Sequence, residues 1–192
     1  MSEKKIQVRS SQVAMTILKA VGTVGVVVAV IALPGLGLVI RDLQKFKDKR
    51  DRQRLYQSLQ YLGRRGYVKL EYLKDGKIKI SLTKQGTTVV KKLDIEQMEI
   101  LNSDRWDQKW RVVIFDVPNW KSKNRLAFTE RLKHLGFHMI QKSVWGYPFP
   151  CHDEIMILRK FYDIEKYVTY LETAMVEDEY LWRQRFSHFH LG

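Results

Sequence analysis

Hydrophobic and polar positions along the chain fall into two successive patterns, the first mostly helical with one hairpin, the second of short strands alternating with helices. The first opens on an apolar run, with no charged residue from 20 to 40. Pro34-Gly35-Leu36-Gly37 interrupts that run near its end, which predicts two helices, roughly Ser11 to Ala32 and Leu36 to Phe46. Val24, Val26, Val27, Val28, Val30 and Ile31 leave little amphipathic face, so this segment must be buried in a core, in a dimer interface or in a membrane. A third helix is predicted over Asp51 to Gly63, where Leu55, Leu59 and Leu62 fall at i, i+4 and i+7, and Gly63 and Gly66 stop it. Tyr67 to Leu73 and Lys77 to Leu82 are β-prone runs joined through Lys74-Asp75-Gly76, where Asp-Gly is a strong hairpin signal. Thr83 is the expected N-cap of a further helix whose apolar residues are Val89, Val90 and Leu93.

A polar stretch from Asp94 to Gln108 reads as a connector, with Asn102-Ser103-Asp104 as its hinge and Trp106 as a packing residue. The second pattern then begins. WRVVIFDVP is a strand; a helix follows from about Lys121 to His134, with Phe128, Leu132 and Leu135 along one side and Gly136 ending it. Phe137 to Gln141 and Ser143 to Tyr147 are two strands, the second terminated by Pro148 and Pro150. Ile155, Leu158 and Tyr162 mark a second helix, Tyr167 to Glu172 a last strand, and Leu181, Trp182 and Phe186 a final packing helix. Strand, helix, strand, strand, helix, strand is the split βαβ order of a ferredoxin-like domain. The expected class is α+β. A winged helix-turn-helix over 1–93 and a linker over 94–108 precede a ferredoxin-like βαββαβ domain over 109–192.

Charge sharpens this reading. The formal net charge of +13 and pI near 9.8 favour polyanionic partners. Sixteen Lys and Arg against five acids lie between Arg41 and Lys92, the segment that carries the third helix and the hairpin. In a winged helix the third helix enters the major groove and the wing touches the flanking backbone. Arg50, Arg52, Gln53, Arg54, Gln57, Gln60 and Arg64 are therefore the expected groove residues, and Lys74, Lys77 and Lys79 the wing contacts. The plainer alternative is a solvated basic surface.

Other chemistry is sparse. The single cysteine, Cys151, excludes an internal disulfide and a cysteine-rich zinc site, and fits a reducing cytoplasm. Cys151-His152 and His188-Phe189-His190 lack tetrahedral ligand spacing. There is no Gly-rich phosphate loop, which argues against an ATP-driven function. Trp106, Trp110, Trp145 and Trp182 are expected in the core or a dimer interface rather than as stacking platforms. A membrane anchor through residues 20–40 is the alternative use of the apolar run, and a cleaved signal peptide is disfavoured because no small-residue cleavage site follows it.

Residues 106 to 186, in particular WDQKWRVVIFDVP, LGFHMIQKSVWGYP and CHDEI, resemble the central domain of the phenylacetic-acid catabolism repressor family, the PaaX-like regulators. That domain is itself similar to the small CRISPR-associated endonuclease Cas-two. LYQSLQYLGRRGYVKL and ISLTKQG resemble the winged-helix domain that precedes it in PaaX-like proteins. The resemblance implies a homodimer formed through the ferredoxin-like modules and a transcriptional regulator, a repressor of double-stranded DNA targets, with no cofactor. The similarity to Cas-two implies an alternative, a divergent CRISPR-associated subunit, structural or a metal-dependent endonuclease. Asp116 ends the first strand where that family places an acidic residue able to share a divalent metal across the dimer; Mg²⁺ or Mn²⁺ would suit its hard oxygen. The competing expectation is that Asp116 caps the following helix or tethers the turn ahead of Pro118, with Ser143 nearby.

Overall fold

The chain divides into two units, Met1–Asp94 and Ile95–Gly192, each with its own hydrophobic core and its own antiparallel sheet. The architecture is that of a computed structural model, which describes residues 12–24, 26–30, 49–73, 77–103, 105–189 and 191. It is a mixed α+β protein.

In the first unit the order is α1 (Gln12–Val24), β1 (Val26–Val30), α2 (Lys49–Arg64), β2 (Val68–Tyr72), β3 (Lys77–Leu82) and α3 (Lys84–Glu96). The helix expected from Ser11 to Ala32 is corrected here. It stops at Val24, and Val26–Val30 forms a strand paired with β3 from Val26↔Ser81 to Val30↔Lys77. Four of its five residues are valine, whose β-branched side chains prefer the strand wherever a partner strand is at hand. The helix expected over Leu36 to Phe46 lies outside the described residues. The sheet order is β1-β3-β2, so the last strand is the central one.

The core packs Ala14, Ile17, Leu18 and Val21 of α1 with Leu55, Leu59 and Leu62 of α2 and Ile78 and Ile80 of β3. Each fully buried leucine is worth roughly 2 kcal/mol, so the three leucines fix which face of α2 turns outward. Burial of α1 takes place within the unit. Among the described residues no helix is long and apolar enough to cross a membrane, and the run at 20–40 is not one continuous helix because α1 ends inside it. Two local devices set the ends of α2 and α3. Gly66 adopts a left-handed φ of 69° just past α2, as helix termination favours. Thr83 is the cap expected for α3: its Oγ1 accepts the Gly86 N–H at 3.0 Å.

The second unit runs β4 (Trp110–Phe115), α4 (Ser122–His134), β5 (His138–Gln141), β6 (Val144–Tyr147), α5 (His152–Phe161), β7 (Val168–Thr173) and α6 (Glu179–Arg185). Its sheet order is β5-β6-β4-β7, with every neighbouring pair antiparallel. Phe128, Leu132, Ile155 and Leu158 from the two long helices join Val113, Phe115 and Trp145 from the strands in one core. α6 contributes Trp182, whose ring centroid is 5.2 Å from that of Trp110; Leu181, expected to pack with it, is exposed. All four tryptophans expected inside are buried, and the fifth, Trp120, is 74% exposed.

The stretch read as a connector carries several anchoring contacts. Its first residues finish α3, Ile95 and Trp106 are buried in the second core, and Arg131 donates to the carbonyls of Glu96 and Met98. Polar composition concealed this because the anchoring residues are widely spaced.

Candidate nucleic-acid interface

α2 separates its residues cleanly by periodicity. Leu55, Leu59 and Leu62 are buried with Ser58, whereas Gln53, Arg54, Tyr56, Gln57 and Arg64 are exposed and Gln60 is half-buried. Arg50 and Arg52 lie in the first turns of the same helix. Five of the seven expected groove residues thus share the solvent side or its border. Arg65, just beyond the helix, adds a cation that the sequence reading passed over; its Nε donates to the Tyr61 hydroxyl at 3.3 Å and its guanidinium lies 5.5 Å from that ring's centre.

The hairpin is less uniform. Lys77 opens β3, and Lys74 lies outside the described residues. Lys79 stands opposite Glu71 in the β2–β3 register and pairs with it at 3.2 Å, while Lys69 pairs with the same carboxylate at 2.7 Å. Lys69 first, and then Lys79, hold the Glu71 carboxyl below its ordinary range. Part of the Lys79 charge is thus met inside the hairpin. Gln60 is likewise engaged, donating from Nε2 to the Tyr72 hydroxyl at 3.0 Å. Tyr72 was not among the expected residues, although strand alternation points to it: Val68, Leu70 and Tyr72 share one side of β2, and Leu70 lies against α2 at Gly63.

In the second unit, β4 delivers Asp116 to an exposed position at its end. The Asp116 N–H donates to the Tyr167 carbonyl at 3.0 Å, and the preceding Phe115 N–H to the Ser143 carbonyl at 3.0 Å. Asp116 thus stands where the start of β7 and the β5–β6 turn meet the end of β4, and Ser143 is in that turn rather than on a strand. The short 3-10 turn that follows, Asn119–Lys121, is capped by Pro118 without a side-chain bond, so the capping role expected of Asp116 is not realised. Residues 103–180 match the family model of the PaaX protein central Cas2-like domain. Over these residues the second unit is similar to that domain. No curated protein matches the chain.

Within the PaaX-type domain, among the described residues, no three His, Cys, Asp or Glu side chains gather to hold a metal ion. Cys151 is buried in the second core, and burial pushes its thiol up to about 12. The charged group that sequence reading missed is Arg111. It sits on β4, 2% exposed, with Nη1 and Nη2 on the two Asp107 oxygens at 2.6 and 2.5 Å and Nη1 also on the carbonyls of Lys109 and Pro148, each at 2.8 Å. Only its place at a buried strand position, between apolar neighbours, hinted at this.

Proposed function

We propose that this chain is a dimeric, DNA-binding transcriptional regulator of the PaaX type, probing duplex DNA with α2 and the β2–β3 hairpin. The carrying observation is the two-sidedness of α2: a leucine face locked into the core and a glutamine and arginine face turned to solvent, in a chain that carries a PaaX-type central domain. The order α1, β1, α2, β2, β3, with sheet order β1-β3-β2, supports a winged helix in which the hairpin is the wing. Strand order β5-β6-β4-β7 across a split βαβ supports a ferredoxin-like second domain, and pairing two such domains would hold two reading heads at a fixed half-site spacing. Arg50, Arg52, Gln53, Arg54, Gln57 and Arg64 are assigned to the groove and Lys74 and Lys77 to the flanking phosphates, with no cofactor and a place in the cytoplasm beside the DNA. The test is a mobility-shift titration with random duplex at several salt concentrations. Binding that weakens steeply with salt is expected, and no shift even at low salt would end the reading.

A second reading is favoured by one observation, the exposed Asp116 at the end of β4: a Cas2-like subunit or Mg²⁺- or Mn²⁺-dependent nuclease in which a second copy brings its own carboxylate. Incubation of duplex and single-stranded substrates with Mn²⁺ tests it. Cleavage abolished by Asp116→Ala supports the nuclease; no cleavage, or cleavage indifferent to that change, rejects it.

A further inference from the structure

Gln60 and Tyr72 are twelve residues apart in sequence and joined by one side-chain hydrogen bond, from Gln60 Nε2 to the Tyr72 hydroxyl oxygen at 3.0 Å. This clasp ties the polar edge of α2 to the end of β2, and it uses groups for which the sequence suggests other work. A glutamine that reads adenine presents its amide oxygen and nitrogen together to one base edge. The Gln60 amide nitrogen is directed instead to the Tyr72 hydroxyl. The tyrosine is the more available partner. Its side chain is 65% exposed, its hydroxyl oxygen already accepts a proton from Gln60, and the hydroxyl's own proton is left to donate outward. On the same hairpin, Lys79 and Lys69 are drawn to Glu71, while Tyr72, the last residue of β2, offers an outward donor at the turn end of the wing.

We propose that Tyr72 donates its hydroxyl proton to a backbone phosphate of duplex DNA, and that Gln60 is its positioning residue rather than a base reader. This rests on the duplex-binding reading above. Such a contact carries no sequence information. Being neutral, it also releases no counterion, and so leaves the salt dependence of binding unchanged.

The experiment compares the full chain with Tyr72→Phe, Gln60→Ala and the double variant by fluorescence anisotropy. Two duplexes are used, one enriched from a random pool by the wild-type protein and one of random sequence, each at several salt concentrations. Tyr72→Phe is expected to weaken binding to both duplexes by about 3- to 10-fold, the loss typical of one hydrogen bond, with the salt slope unaltered. Gln60→Ala is expected to cause an equal loss on both, and the double variant no further loss, because the two residues act as one. A merely structural clasp would lower the urea midpoint of the first unit, followed by far-UV circular dichroism; here that midpoint is expected to stay put. Unchanged affinity in Tyr72→Phe overturns the assignment, as does a Gln60→Ala variant that relaxes preference at one base pair while Tyr72→Phe does not. If the wild-type chain binds neither duplex at low salt, the regulator reading falls with it; wild-type binding indifferent to Tyr72→Phe removes only the present assignment.

Discussion

Arg111 places a positive charge inside the second core, and the geometry explains how that is tolerated. Burial opposes the charge, but the bidentate Asp107 carboxylate, helped by Glu172 and Tyr170, outweighs it, and the guanidinium's pKa rises. In turn Arg111 holds the Asp107 carboxyl below its usual range. The remaining Nε is buried without a hydrogen-bond partner and forms a longer ion pair with Glu172 at 3.7 Å. Asp107→Ala is expected to destabilise the second unit by about 2 kcal/mol, less than the loss for a fully buried pair because Asp107 is partly exposed and the carbonyls remain. All five tryptophans lie between Trp106 and Trp182, so indole fluorescence in urea follows this unit; an unmoved midpoint would contradict the account. His138 offers a second residue-scale check. Its ring packs edge-on to Phe186 at 4.6 Å, and burial first, then His188 and Arg185, lower its pKa from 6.5. Above that value folded and unfolded chains are both neutral here. As pH falls below it the unfolded chain takes up the proton first, so stability declines until the depressed folded value is reached. His138→Gln is expected to flatten the fluorescence-monitored stability profile between about pH 7 and 5; an identical slope would count against it.

Elements in the first unit are held by close approaches more than by propensity. β1 is a strand because β3 is there to receive it, and α3 is anchored where Thr83 bonds to the Gly66 carbonyl at 2.5 Å and caps Gly86 at 3.0 Å. Gly86 sits so near the turn before β2 that an added Cβ would lie 1.9 Å from the Tyr67 carbonyl oxygen, backbone that cannot step aside. Gly86→Ala, normally favourable within a helix, is here expected to cost about 2–4 kcal/mol through overpacking. Thermal unfolding followed by circular dichroism would show a lowered first transition, with the tryptophan transition of the second unit unchanged. A neutral or stabilising outcome would mean that α3 does not approach β2 as described.

At the scale of the whole molecule, a basic segment precedes a region similar to the PaaX central domain. If the first unit reads duplex DNA, its two kinds of polar residue should behave differently. Arg54→Ala is expected to weaken binding to a selected site more than to random duplex, by about 1–3 kcal/mol of discrimination, whereas Lys77→Ala should weaken both alike and lower the salt slope by about one. Equal, sequence-blind losses from both changes would refute this division. If the second unit also pairs two copies, the paired heads bind at high effective concentration, and dilution below the range of that pairing should lower affinity for a two-half-site duplex more than for a single half-site, as measured by anisotropy with analytical ultracentrifugation alongside.

By itself the amino-acid order determined what local rules govern: the spacing of Leu55, Leu59 and Leu62, the Thr83 cap, the hairpin and the alternation of strands and helices in the second unit. It also marked most of the candidate interface, because an amphipathic helix reveals its outward face from periodicity alone. Tertiary structure decided whatever depends on partners distant in the chain. Val26–Val30 became a strand only through β3, Gln60 was turned toward Tyr72, Lys79 was drawn to Glu71, and Arg111 was buried only because Asp107 and Pro148 converge on it. Periodicity records which side of an element avoids water, whereas hydrogen bonds and ion pairs between elements arise only when folding brings their atoms within reach.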